Sequence, residues 1–117
     1  MPRDAYLASP EKIYASRYLL LTAIEDCLGV ANHVIASEAY RAPADYADAF
    51  TSLAEADVLS EDLAMRLGAM ARFRNLLVHE YARVDDARTH ELLATDVDDL
   101  AQFQRAILEA FGNLRDV

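Results

Sequence analysis

The run Arg72-Phe73-Arg74-Asn75-Leu76-Leu77-Val78-His79-Glu80-Tyr81-Ala82-Arg83 places basic and titratable side chains where a helix built only for packing does not need them. An arginine and a histidine, with no metal ligand, are enough to cleave RNA through its own 2'-hydroxyl, because the substrate brings the nucleophile. Histidine is the residue type that exchanges protons near neutral pH. It can take the 2'-hydroxyl proton or protonate the leaving 5'-oxygen, and two symmetry-related copies could divide those tasks. Arginine offers a fixed cationic fork for phosphate oxygens as negative charge builds in the transition state. At about 100° per residue, Val78 and Tyr81 project near Arg74, whereas Asn75 and His79 lie one turn apart and about 100–140° round from it. One helix therefore does not easily aim Arg74 and His79 at one atom. Two copies side by side across a two-fold axis do so readily, which points to a composite site in a homodimer. Asn75, one turn before His79, is placed to orient the imidazole or to bind phosphate. Bare spacing fits equally a solvated arginine and a satisfied histidine on an ordinary helix.

Groups of this kind need a rigid scaffold, and the rest of the chain reads as one. At 117 residues, with 54% hydrophobic residues, three Gly and three Pro, a single domain over residues 1–117 is expected. The fold class expected is all-α, an antiparallel up-and-down bundle of four to five helices. Ser9 as N-cap and Pro10 at the first helical position start a helix that runs to about Ser37. Along it Ile13, Leu20, Ile24, Cys27, Ala31 and Val34 form one apolar stripe, and Tyr14, Tyr18, Leu21, Leu28 and Ile35 form its neighbour. Arg17 falls in the first stripe, Glu25 and Asn32 in the second, so these three polar groups need partners. After the Arg41-Ala42-Pro43 break a short helix carries Tyr46, Ala49, Phe50 and Leu53. Ser60 with Glu61 and Asp62 starts the next, expected to reach about Tyr81 and to bury Leu63, Leu67, Met70, Phe73, Leu76 and Leu77. Asp85 or Asp86 caps a further helix, and Thr95 with Asp96, Asp98 and Asp99 is expected to restart it as a last segment, ended by Gly112 and Asn113.

Composition narrows the function. The net charge of −9 argues against non-specific nucleic-acid binding and against a DNA-reading helix-turn-helix. Residues 66–88 run the other way, with Arg66, Arg72, Arg74, Arg83 and Arg88 against Glu80, Asp85 and Asp86, a local balance of +2. Such a basic island suits an anion site or an interface with another protein. The one cysteine, Cys27, reads as a small buried hydrophobe and fits a reducing cytoplasm. The N-terminus has no apolar signal core, and the longest apolar run, residues 18–24, is too short to span a bilayer, so a cytoplasmic protein without membrane contact is expected. His79-Glu80 begins like a zinc helix, but no second histidine follows at the required spacing, and no Gly-rich phosphate loop or nucleophile elbow exists. No metal and no cofactor is expected. His90 is expected to be exposed.

The segment from Arg74 to Tyr81 resembles the signature of HepT toxins in the HEPN superfamily: Arg, four residues, His, any residue, Tyr. The Asn directly after the Arg matches as well, as do Ile24-Glu25, the stretch from Ala31 to Ala36, the Pro43, Tyr46, Phe50, Leu53 pattern, Val58-Leu59 and Val84-Asp85. The resemblance implies a homodimeric HEPN-like bundle whose two signatures face one cleft, with Arg74 and His79 catalytic in a metal-independent endoribonuclease. Asn75 and Glu25 would support them, Glu25 as a partner of Arg74 or Arg17 or else as a rim acid. It further implies the toxin role of a type VII toxin-antitoxin pair, whose partner is a minimal nucleotidyltransferase antitoxin that silences the toxin by adding AMP to the signature tyrosine, here Tyr81. A bulky anion at Tyr81 would pair with the Arg74 guanidinium and fill the phosphate site. Asn32 and His33 fall near the same cleft, although local hydrogen bonding accounts for them as well. The alternative is a non-catalytic HEPN subunit that binds a minimal nucleotidyltransferase or a nucleotide.

Overall fold

Four of the described helix starts follow a local capping signal in the chain. The computed structural model describes residues 2–79 and 84–112. These form five helices: α1 (Arg3–Leu7), α2 (Pro10–Ser37), α3 (Tyr46–Glu55), α4 (Glu61–His79) and α5 (Asp86–Phe111), and no strand among the described residues. Ser9 caps α2 by accepting from the Lys12 amide, with Pro10 at the first position where its missing N–H is not needed. Asp45 caps α3 through the Asp48 amide at 2.8 Å, Ser60 accepts from Leu63 at 3.1 Å at the start of α4, and Asp85 caps α5 through Ala87 at 3.0 Å. Helices α2 and α3 both end on a non-glycine residue in the left-handed region, Ala39 (φ 57°) and Asp57 (φ 62°). There the Tyr40 amide returns to the Ile35 carbonyl and Val58 to Leu53, satisfying carbonyls that the last turn leaves open.

The core is the expected all-α one. Ile13, Leu20, Ile24, Cys27, Ala31 and Val34 on α2 are buried at 3–4 spacing. All of them but Ile13 join Phe50 and Leu53 of α3 and Leu63, Leu67 and Met70 of α4 in one core, while Phe103 of α5 packs edge-on against Phe50 with ring centroids 5.8 Å apart. Phe73 and Leu76 are only half-buried. Burial pushes the Cys27 thiol up to about 12, as suits a cysteine acting as a packing residue.

Several expectations are corrected. The second α2 stripe is buried only at Leu28 and Ile35; Tyr14 and Tyr18 are 60% and 70% exposed. Helix α1 carried no sequence expectation, yet Tyr6 is buried, bonds Ser16 Oγ at 2.7 Å and stacks 4.9 Å from the His90 ring, so His90 is half-buried rather than exposed. Helix α5 does not restart at Thr95. Cap-forming residues sit there, but no Gly or Pro interrupts the stretch, and Asp99 turns inward to receive Arg66 Nε at 2.9 Å across from α4. By length and mean hydropathy α2 is able to cross a membrane, contrary to the reading of its short uninterrupted run; its first apolar stripe packs instead on the other helices of the bundle.

Asp96, also thought of as a cap, is 3% exposed, and its Oδ2 has no hydrogen-bond partner among the described residues. Burial, reinforced by Asp99 and opposed by Arg88, pushes its carboxyl up to about 6. A carboxyl that holds its proton more tightly when folded contributes stability that is whole below about pH 4 and is lost as the pH rises through the folded value. Asp96→Asn, a neutral replacement of the same shape, is therefore expected to raise stability at pH 8 by about 3 kcal/mol and to change it little at pH 4. Thermal melts of both proteins at the two pH values check this, and equal gains at both would contradict the assignment.

Candidate active site

The last turns of α4 carry Arg74, Asn75 and His79, and α2, α3 and the α2–α3 loop close in around them. Arg74 is 15% exposed. Its Nη2 donates to Glu25 Oε1 of α2 at 3.0 Å, its Nη1 to Asn75 Oδ1 at 3.1 Å, and its guanidinium lies over the Tyr46 ring, 4.9 Å from the centroid. These contacts orient the fork, engaging two of its five N–H donors among the described residues. Its Nε is buried with no hydrogen-bond partner among the described residues. Glu25 thus serves Arg74, not Arg17, and remains 47% exposed at the rim.

His79 is exposed and lines a cleft of about 490 Å³ with Asn75, Asn32, Pro43, Asp45 and Tyr46. The Pro43 wall is fixed by Arg41, whose Nη1 meets Asp48 at 2.7 Å and whose Nε meets Glu55 at 2.7 Å, while Ser52 Oγ donates to the Arg41 carbonyl at 2.6 Å. The Arg41 guanidinium, with the Ala44 amide, holds the Asp48 carboxyl down to about 2. That contribution is complete above the ordinary carboxylate range and is lost only as the pH falls toward 2, so the wall stands throughout the neutral range.

The stretch after His79, including Tyr81, lies outside the described residues. From Val84 the chain is tied to α2: buried Arg17 donates to the Val84 carbonyl at 3.3 Å and pairs with the Asp86 carboxylate. Asp85 is therefore the cap of α5 and Asp86 the ion-pair partner.

The structure brings Arg74, Asn75 and Glu25 together, and places Asn75, Asn32 and His79 on one cleft. It does not gather the described arginines of the basic island. Arg66 turns to Asp62, Asp99 and Gln102, Arg88 pairs with Glu91, and Arg72 lies by Gly68 in a second cleft lined also by Asp45, Asp48, Glu55 and Glu61. Of the described island arginines only Arg74 sits beside the His79 cleft. Sequence reading missed Tyr46 as a site residue, treating it as apolar core. It is 44% exposed, and the available signal was its position directly after the Asp45 cap, where a helix has not yet turned its face inward.

Comparisons with known proteins bear on the family and the fold. The Ribonuclease HepT-like family matches residues 1–107. The chain is 28% identical over 79 residues to the mRNA nuclease HepT of Shewanella oneidensis, an alignment covering 68% of this chain and 59% of that protein, less than two thirds of the relative's length. The fold is shared with the tri-AMPylated Shewanella oneidensis HEPN toxin solved in complex with MNT antitoxin, at a TM-score of 0.81 and 24% identity over 87% of this chain and 77% of that one. A toxin-antitoxin solved with AMP-PNP aligns at a TM-score of 0.80 and 22% identity, over 87% of this chain and 78% of that one.

Proposed function

The chain belongs to the Ribonuclease HepT-like family, and from that premise we propose that it is the toxin of a toxin-antitoxin pair, a cytoplasmic, metal-independent endoribonuclease that works as a homodimer through Arg74 and His79. The observation that carries this reading is the setting of Arg74, a guanidinium clamped by Glu25, Asn75 and Tyr46 beside the cleft that His79 lines. A clamped guanidinium stabilises charge on a phosphate without reorganising during the reaction.

In the proposed step His79 takes the proton of the substrate 2'-hydroxyl as that oxygen attacks phosphorus. The bond from phosphorus to the 5'-oxygen breaks, the imidazolium returns the proton to that oxygen, and Arg74 holds the non-bridging oxygens while charge collects on them. The products are a 2',3'-cyclic phosphate and a 5'-hydroxyl. Each phosphodiester uses Arg74 of one subunit and His79 of the other. Support for the pairing comes from α2, where the exposed Tyr14 and Tyr18 lie on the stripe that leads through Glu25 to Asn32 at the cleft. A second copy laid along that stripe buries two large aromatic rings and brings its own cleft opposite the first.

The partner in this reading is a nucleotidyltransferase antitoxin that adds AMP to Tyr81. Co-expression with it is expected to add adenylyl mass to the wild-type chain and none to Tyr81→Phe, as read by intact mass spectrometry. The test of the function itself is expression alone followed by incubation of the purified protein with labelled RNA in EDTA. Growth arrest and fragments ending in 2',3'-cyclic phosphate are expected. Intact RNA under those conditions, with a folded dimer in hand, would contradict it and favour a non-catalytic subunit.

A further inference from the structure

Resting on the ribonuclease reading, we infer that the cleft beside His79 is a subsite for one unpaired nucleobase of the RNA, with the Tyr46 ring as its stacking platform and the amides of Asn32 and Asn75 at the base edges. The cleft has the composition that a base requires. One of its walls is an aromatic ring, another is the apolar face of Pro43, and the remaining polar groups among the described residues are two amides, the Asp45 carboxylate and the imidazole. Among the described residues no guanidinium or ammonium lines it, and Asp45 repels a phosphate, so an anion is better placed at Arg74 beside the cleft and an uncharged flat ring inside it.

Tyr46 is pre-set for stacking. It opens α3 directly after the Asp45 cap, and Arg74 lies over its ring at 4.9 Å, yet 44% of the residue stays exposed. A ring held in one orientation by a cation gives a base a surface that loses little freedom when it is covered. The two amides divide the reading of the base edge. Asn75 has its Oδ1 engaged by Arg74 and so offers its NH₂ as a donor, whereas Asn32, exposed on α2, offers both donor and acceptor. Single-stranded RNA is recognised in this way, by bases splayed onto aromatic side chains with hydrogen bonds at their edges. The same cation that orders Tyr46 would then grip the phosphate next to the stacked base, which fixes the cleaved bond relative to that base.

The test is a binding cycle in the non-cleaving His79→Ala protein, using a short single-stranded RNA and the same RNA made abasic beside the bond that the wild-type enzyme cleaves. Removing the base is expected to weaken binding by about 5- to 150-fold, the range for one stacked base, and Tyr46→Leu by a similar factor. Combining the two is expected to be no worse than either alone, and Tyr46→Phe is expected to bind as the parent does. Losses that multiply, or none for Tyr46→Leu, overturn the subsite and leave the ribonuclease reading intact. Failure of every RNA to bind overturns both. Should Tyr46→Leu not fold, Asn32→Ala on the exposed face of α2 takes its place in the same cycle, with the same two outcomes.

Discussion

His79→Ala is expected to lower RNA cleavage by about 10²- to 10⁴-fold, the usual contribution of a positioned general acid or base. Its unfolding temperature should stay close to that of the parent, because the side chain is exposed on the last described turn of α4 and packs in no core. Arg74→Lys is the informative companion. It keeps the positive charge but loses the planar fork that meets Glu25 and Asn75 together, so it is expected to lose most of what Arg74→Ala loses. Initial rates with a defined RNA, read beside thermal melts, check both variants. A folded His79→Ala enzyme that cleaves at the parental rate would remove the imidazole from the reaction.

Phe50→Ala is expected to destabilise the fold by about 3–5 kcal/mol, in the range for deleting a buried aromatic side chain. Phe50 is fully buried among α2, α3, α4 and α5, and its ring meets Phe103 edge-on. Its loss leaves a cavity beneath α3, the 10-residue helix that also carries Tyr46 to the cleft. Denaturant unfolding measures the loss, and a change below about 1 kcal/mol would mean that the site collapses to refill the space. Activity at low temperature should fall less than stability does, since Phe50 touches neither Arg74 nor His79 by any described contact.

Periodicity made the scaffold legible. The 3–4 spacing from Ile13 to Val34, the Ser9-Pro10 start, and the Ser60-Glu61-Asp62 start are local signals, and local signals fix helices. What escaped depends on tertiary context. Thr95 and its following aspartates carry the residue types of a cap, and only Arg66 arriving from α4 makes Asp99 an interior partner instead. Tyr14 and Tyr18 continue a stripe that the bundle buries further along, at Leu28 and Ile35, yet they stay 60% and 70% exposed. Helix α1 is five residues long, too short for a period to register, and is held by Tyr6 packing on His90.

The candidate site divided in the same way. Arg74, Asn75 and His79 stand on one helix and were legible as a group, and Glu25 was legible as a polar intruder in an apolar stripe whose partner is the Arg74 guanidinium, 49 positions later. Tyr46 and Pro43 reach the cleft from a separate helix and loop, a proximity that no spacing within the chain encodes. The basic island misled for a related reason: a net charge summed along the sequence ignores that Arg66 and Arg88 turn to acids of their own.

The most direct measurement is complementation between two inactive subunits, Arg74→Ala and His79→Ala, mixed and isolated as the heterodimer. A site built from Arg74 of one subunit and His79 of its partner leaves one intact pair in that species, so cleavage is expected to return well above the level of either parent homodimer. A heterodimer that forms fully by native mass spectrometry but cleaves no faster than its parents would contradict the shared site.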